Sequence, residues 1–217
     1  MSQYAFRECS NPMCALRLPI DLDVHAGKHC PRCGGSLMPA DASMGNRAYA
    51  LESLPPVRPL SVILDNIRSA HNVGAIFRTA EGLGIDQLYL CGITPTPTHA
   101  SRIAKTALGA EQTVPWSYHP NAVNLVKKLR SEKGIHLVAL EWDASALPVT
   151  QAIHQLPPDA PVGLIVGHER AGVDPEVVRL ADLVVYLPMV GSKESYNVSV
   201  AFGMAAAWLL WEPARHR

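Results

Sequence analysis

The sequence has no excess of charge of either sign: 19 Lys and Arg balance 19 Asp and Glu, for a formal net charge of +0. A uniformly basic protein that coats nucleic acid is thereby excluded, and any polyanion must be met by local basic patches. Long apolar runs are missing too. The longest, Val198 to Trp211, is interrupted by Ser199 and Gly203, is short for a bilayer, and reads as a buried core helix. The opening MSQYAFRECS lacks a basic start followed by an apolar stretch, so no secretory signal is expected. A cytoplasmic protein with no membrane partner follows as the expectation. Internal repeats and low-complexity tracts are absent, and the nine histidines are scattered without forming a metal or triad set.

What is present fits a globular chain. At 217 residues, 48% hydrophobic and 18% charged, it has length for one medium domain with a small appendage, or for one large domain. That length buries a core without disulfides.

The cysteines are unevenly placed. Cys9, Cys14, Cys30 and Cys33 lie near the N-terminus, and Cys91 stands alone. Clustered cysteines in a cytosolic chain point to metal rather than disulfides. Cys30-Pro31-Arg32-Cys33-Gly34-Gly35 has the form of a zinc knuckle, in which glycines let backbone amides turn back toward the thiolates. Four thiolates close a tetrahedral structural Zn2+ site. The pattern resembles a zinc ribbon, although Cys9 and Cys14 are spaced wider than usual, which leaves His25 and His29 open as substitute ligands. A segment this short has little core of its own, and metal supplies the missing stability. The competing reading is four reduced cysteines without metal.

Three regions are expected: a zinc-ribbon-like segment over 1–38, a linker over 39–59 rich in Pro, Gly, Ser and Ala, and a larger domain over 60–217. In the last, short apolar strands are predicted at 61–64, 87–91, 136–140, 162–166 and 183–187. Helices are predicted at 73–84, 101–108, 121–133, 175–180 and 197–211, with Asp174 as an N-cap before Pro175. This alternation implies an α/β fold, a mostly parallel sheet with helices on both faces. Such sheets bind ligands beyond the carboxyl ends of their strands. The polar, glycine-rich segments Asn66 to Gly74, Gly167 to Gly172 and Pro188 to Asn197 fall at those ends, so they are expected to build one composite site.

Three motifs carry a family resemblance. Asn72-Val73-Gly74-Ala75-Ile76-Phe77-Arg78-Thr79-Ala80 is the first, and Gly167-His168-Glu169-Arg170-Ala171-Gly172 is the second, of form G-x-E-x-x-G. The third is Leu187-Pro188-Met189-Val190-Gly191 followed by Ser195-Tyr196-Asn197-Val198-Ser199-Val200-Ala201. Together, with Thr106-Ala107-Leu108-Gly109-Ala110 between the first two, they resemble the SpoU/TrmH methyltransferases of the SPOUT superfamily over about Leu60 to Glu212.

The resemblance implies a C-terminal trefoil knot, a homodimer, S-adenosyl-L-methionine as methyl donor, and a ribose 2′-hydroxyl of tRNA or rRNA as acceptor. It assigns the central catalytic role to Arg78, with Asn72, Glu169, Ser195 and Asn197 around it. Arginine is a poor base, so Arg78 is expected to meet RNA phosphate or polarise the ribose hydroxyl. Glu169 is expected to orient either Arg78 or loop amides. Matching cofactor positions are Gly167, Leu187, Met189, Tyr196 and Val198. Tyr196 departs from the leucine common in the family, which keeps an apolar wall and adds a hydroxyl.

Arg102 and Lys105 are the expected RNA contacts. The Lys127, Lys128, Arg130 and Lys133 cluster reads as a solvated helix face, and Trp116, Trp142, Trp208 and Trp211 as core or dimer-interface residues. Two rival functions stand beside this one: a knotted protein that binds RNA without catalysis, and a methyltransferase of a non-RNA substrate.

Overall fold

The structure is a computed structural model that describes residues 4–40 and 58–211, apart from 153 and 194. The chain divides into two compact units, Met1–Ser53 and Leu54–Arg217. Most of the expected linker, 39–59, lies outside the described residues.

The first unit is a three-stranded antiparallel sheet: β1 (Tyr4–Cys9), β2 (Arg17–Asp21) and β3 (Leu37–Pro39), in the order β2-β1-β3. Cys9 lies opposite Leu37 in the register. Among the described residues its buried hydrophobics are only Cys9, Cys30 and Leu37, with Cys14, Leu16, Leu18 and Ile20 packed partly against them. So small a core leaves sulfur at the centre of the unit.

The second unit contains a seven-stranded sheet, parallel throughout. Its strands are β4 (Leu60–Asp65), β5 (Gln87–Cys91), β6 (Trp116–His119), β7 (His136–Leu140), β8 (Leu147–Pro148), β9 (Val162–Gly167) and β10 (Leu183–Tyr186). Their order is β6-β5-β4-β9-β7-β10-β8. The chain first runs outward from β4 to β6, then crosses back to β7, and β9 enters between β4 and β7. The crossing places a topological switch at the carboxyl ends of β4, β9 and β7, where such sheets hold ligands.

Alternation along the strands sorts the core onto two faces. Val62, Leu64, Leu88, Leu90, Leu164 and Val166 point to one side, where α1 (Ala70–Leu83) and α7 (Val198–Leu210) pack. Ile63, Tyr89, Leu137 and Ile165 point to the other, under α4 (Ala122–Lys133) and α6 (Pro175–Leu180). No helix among the described residues is long and apolar enough to cross a membrane.

Several boundaries differ from expectation. Helix α1 begins at Ala70 rather than Val73, because Ser69 caps it by accepting the Asn72 N–H, and it stops where Gly84 turns left-handed at φ 68°. The helix expected over 101–108 shrinks to α2 (Ala104–Ala107): residues 101–103 form a turn before it, and Leu108, at φ 53°, ends it; a separate turn, α3 (Ala110–Thr113), follows Gly109 at φ 97°. Strand β6, the short β8 and the single turn α5 (Val149–Ala152) were not expected. Trp142 is not a core residue: it is 75% exposed, with its ring edge-on to Tyr186 at a centroid distance of 4.7 Å.

Helix α1 lies very close to α2. A Cβ at Gly74 would come within 2.1 Å of Thr106 Oγ1 and 2.4 Å of the Ile103 carbonyl, whereas one at exposed Gly82 meets nothing within 4 Å. Both glycines are inside α1, where alanine is favoured by about 1 kcal/mol. At position 74 overpacking, typically about 1–3 kcal/mol, opposes and exceeds that gain. Gly74→Ala is therefore expected to lower the melting temperature and Gly82→Ala to raise it, as thermal unfolding of the two variants will show.

Candidate active site

The three polar loops meet at one edge of the sheet because the strands that feed them are parallel and nearly adjacent. Asp65 at the end of β4 pairs in register with Gly167 at the end of β9, and Leu140 of β7 lies between Val166 of β9 and Val185 of β10. Chain leaving β4, β9 and β10 therefore emerges on the same side.

Glu169 joins the second loop to the first. Its Oε2 accepts the Arg68 N–H at 2.9 Å, and its Oε1 accepts the Ser69 N–H at 3.0 Å and the Asn72 side-chain N–H at 2.9 Å. These donors lie at the start of α1, where free amides and the helix dipole favour negative charge. Partial burial pushes the Glu169 carboxyl up, but the N–H groups of Arg68, Asn72 and Ser69 outweigh it and hold the group below the ordinary carboxylate range. Asn72 then reaches the third loop, since its Oδ1 accepts the Asn197 side-chain N–H at 3.2 Å. Asn197 in turn caps α7, its Oδ1 accepting the backbone N–H of Ser199 at 2.9 Å.

One side chain from each motif thus enters a single network, Glu169–Asn72–Asn197. Of the two partners expected for Glu169, it takes the loop amides. Arg78 is exposed and forms no ion pair or hydrogen bond among the described residues. Ser195 is likewise exposed. Arg102 and Lys105 are exposed beside and on α2.

The expected cofactor positions line the same edge. Leu187 and Val198 are half-buried against the larger core, and Met189 is half-buried beyond them. The Tyr196 hydroxyl, which has no counterpart on leucine, donates to the Pro188 carbonyl at 3.3 Å and bridges the two halves of the third motif. Gly167 has no room for a side chain. A Cβ there would lie 2.3 Å from the Val173 amide nitrogen, so the space is taken by the loop's own returning backbone.

Sequence reasoning missed several supporting groups. Asp65 is 1% exposed and accepts the Asp174 N–H and the Asn66 side-chain N–H, both at 2.8 Å. Burial pushes its carboxyl up, against the pull of those donors. Glu141 accepts the Val173 N–H at 2.8 Å, gripping the second motif from its far side. Their signal was a carboxylate ending an apolar strand, as in Ser61 to Asp65 and Leu137 to Glu141. Two cavities, of about 220 Å³ beside Tyr89 and His119 and about 440 Å³ beside Gly84 and Pro115, are lined by no residue of the three loops.

In the first unit the four clustered cysteines converge. Their sulfurs lie within 4.8 Å of one another, with Cys9 and Cys33 at 3.4 Å and Cys14 and Cys30 at 3.8 Å, and none is in a disulfide. His25 and His29 lie outside this group.

Replacing Glu169 by Gln removes one acceptor and sets an NH2 against amide donors. Glu169→Gln is expected to cost on the order of 1–2 kcal/mol at neutral pH, the scale of hydrogen bonds to a charged group. The group's depressed pKa gives stability that is fully present above the ordinary value of 4.5 and lost as pH falls through the folded value. The gap between wild type and variant should therefore narrow on acidification below pH 4.5. Denaturant unfolding of both proteins from neutral pH downward measures it.

The comparisons with known proteins agree with this geometry. Residues 59–207 match the SpoU rRNA Methylase family. A 23S rRNA (guanosine-2'-O-)-methyltransferase, RlmB, of Burkholderia sp is 33% identical over 186 residues, covering 82% of this chain and 69% of the relative. A tRNA (guanosine(18)-2'-O)-methyltransferase of Aquifex aeolicus is 33% identical over 164 residues, covering 74% and 71%. Among solved structures, an AdoMet-bound rRNA methyltransferase from Sinorhizobium meliloti aligns with TM-score 0.63 and 25% identity, covering 72% of this chain and 57% of that one. The TrmH/SpoU tRNA modifying enzyme of A. aeolicus aligns with TM-score 0.61 and 28% identity, covering 71% and 76%. With its three motifs drawn into one hydrogen-bonded network at the edge of a parallel sheet, this chain belongs to the SpoU methylase family.

Proposed function

We propose that this protein transfers a methyl group from S-adenosylmethionine to a ribose 2′-hydroxyl of tRNA or rRNA. The observation that carries the reading is the Glu169–Asn72–Asn197 network, which brings the family's three motifs to one place. The names of the relatives, rRNA and tRNA 2'-O-methyltransferases, support the substrate class. An AdoMet-bound neighbour supports the methyl donor.

S-adenosylmethionine supplies a methyl group already made electrophilic by its sulfonium. The residues need only hold the acceptor oxygen in line and ease removal of its proton. Gly167, Leu187, Met189, Tyr196 and Val198 offer backbone and apolar surface for the cofactor. Arg78 is free to meet RNA, and its guanidinium stays charged, so it binds phosphate or polarises the 2′-hydroxyl rather than taking its proton. Asn72 and Glu169 hold the loops, while Ser195 and Asn197 face the reacting ribose. Arg102 and Lys105 add cationic contacts to the RNA backbone.

The protein acts as a homodimer in this reading. Val200, Met204, Trp208 and Trp211 fall on one exposed stripe of α7 and its cap, from 38% to 52% exposed, on an otherwise buried helix. The C-terminal part of the domain threads the trefoil knot in the same reading. A cytoplasmic location follows from such RNA substrates.

The N-terminal unit holds a structural Zn2+ through Cys9, Cys14, Cys30 and Cys33 and contributes to RNA recognition. Sulfurs bound tetrahedrally at about 2.3 Å from zinc stand about 3.8 Å apart, as the pairs here nearly do. Burial resists ionisation of Cys30, but the amides of Arg32 and Cys33 outweigh it and bring the thiol down to about 7, whereas at Cys9 and Cys14 the local amides are outweighed by burial and the neighbouring thiols, which push both up, Cys9 to about 12; four thiolates this close require a cation between them.

Two experiments test this reading. Labelled methyl transfer to total cellular RNA should mark tRNA or rRNA. Arg78→Ala should abolish transfer while cofactor affinity stays within about tenfold, since Arg78 touches the acceptor and not the donor. Good cofactor binding without RNA labelling would sink the enzymatic reading. For the metal, elemental analysis of protein purified without chelator should find about one zinc per chain, lost when Cys30 and Cys33 become serine. Less than about half an equivalent in the native protein would refute the site.

A further inference from the structure

One side chain closes the Gly167–Gly172 loop yet has no part in the scheme above. Resting on the methyltransferase reading, we propose that His168 is a positioning residue whose neutral imidazole holds this loop in the shape that receives S-adenosylmethionine.

The hydrogen bonds define the requirement. His168 Nδ1 accepts the backbone N–H groups of Arg170 and Ala171, each at 3.1 Å. The same loop is closed by a backbone pair, His168 N–H to Gly172 C=O at 3.0 Å and Gly172 N–H to His168 C=O at 2.9 Å. A ring nitrogen that accepts must carry no proton, so the ring's proton sits on Nε2. An imidazolium has no acceptor. Its Nδ1–H would point at two N–H donors and open the turn.

The loop has no slack to absorb such a change. On one side Gly167 is pressed against the Gly172–Val173 backbone, where an added Cβ would lie 2.3 Å from the Gly172 carbonyl carbon. On the other, Glu169 next to His168 grips the start of α1. A shift at residue 168 therefore moves both an expected cofactor contact and the motif network.

Charged groups lie on the elements that adjoin the loop. Asp65 at the end of β4 lies near His168. Asp174 caps α6 just beyond the loop, Glu141 at the end of β7 holds Val173, and Glu169 and Arg170 flank the ring in sequence.

Asparagine separates the two properties of histidine, because its Oδ1 accepts amide N–H groups and does not titrate. The test uses the full chain as wild type, His168→Asn and His168→Ala. S-adenosylmethionine binding is measured by calorimetry from about pH 8 to about pH 5.5, across the range where imidazoles exchange protons. The amide resonances of Arg170 and Ala171 are followed by NMR over the same range without cofactor.

Wild type should lose affinity roughly tenfold on acidification, the scale of one or two backbone hydrogen bonds. The two amides should move with the same midpoint. His168→Asn should bind with pH dependence flattened to within about twofold, and His168→Ala should bind weakly throughout. Equal pH dependence in wild type and His168→Asn overturns the proposal. So do amides that do not respond to pH. If the amides respond but wild type binds no cofactor at any pH, the methyltransferase reading fails, and the link from His168 to the cofactor fails with it.

Discussion

A single carboxylate at the mouth of a helix organises this protein's site. Glu169 accepts three N–H groups from the start of α1, and the side chain of one of those donors, Asn72, accepts from Asn197. Without this tie the three motif loops would move separately, and each ordered residue costs about 1–2 kcal/mol of backbone entropy. The position suits a carboxylate, because helix starts carry unpaired amides and a positive dipole end. The parallel sheet makes the meeting feasible by sending all three loops out of one edge.

Close backbone packing holds that arrangement from behind. Gly74 admits α2 against α1, Gly167 admits the return of its own loop, and Gly172, at φ 75°, passes over the Glu141 carboxylate with no room for a Cβ. Glu141 and Glu169 grip the same short segment from opposite sides, one through Val173 and the other through α1. A loop fixed at both ends transmits small changes instead of absorbing them, which is why the imidazole at its centre acquires a role.

The N-terminal unit solves a different problem. Among its described residues the buried hydrophobics are two cysteines and a leucine, with Cys14 and three aliphatic side chains packed partly against them. Hydrophobic burial on that scale does not hold a sheet of three short strands. The converging sulfurs fit the proposed structural metal, the usual resource of domains too small for a core.

Much of this was legible in the amino-acid sequence. Strand β5 and helix α6 begin and end at the residues expected, because a short apolar run closed by glycine and an Asp-Pro start are local signals. The composite character of the site followed from polar loops at strand ends. Other features had no local signal. Leucine rarely adopts a left-handed conformation, so the stop at Leu108 that separates α2 from α3 was invisible. Choosing between Arg78 and loop amides as the partner of Glu169 required knowing which donors lie near it, and Asn72 is 97 residues away. The sequence by itself determined the elements, their faces and the chemistry of the loops, since these depend on neighbours along the chain. Only the tertiary structure decided which carboxylate meets which amide, because that depends on strand order: β9 inserts between β4 and β7 and carries Glu169 to the start of α1.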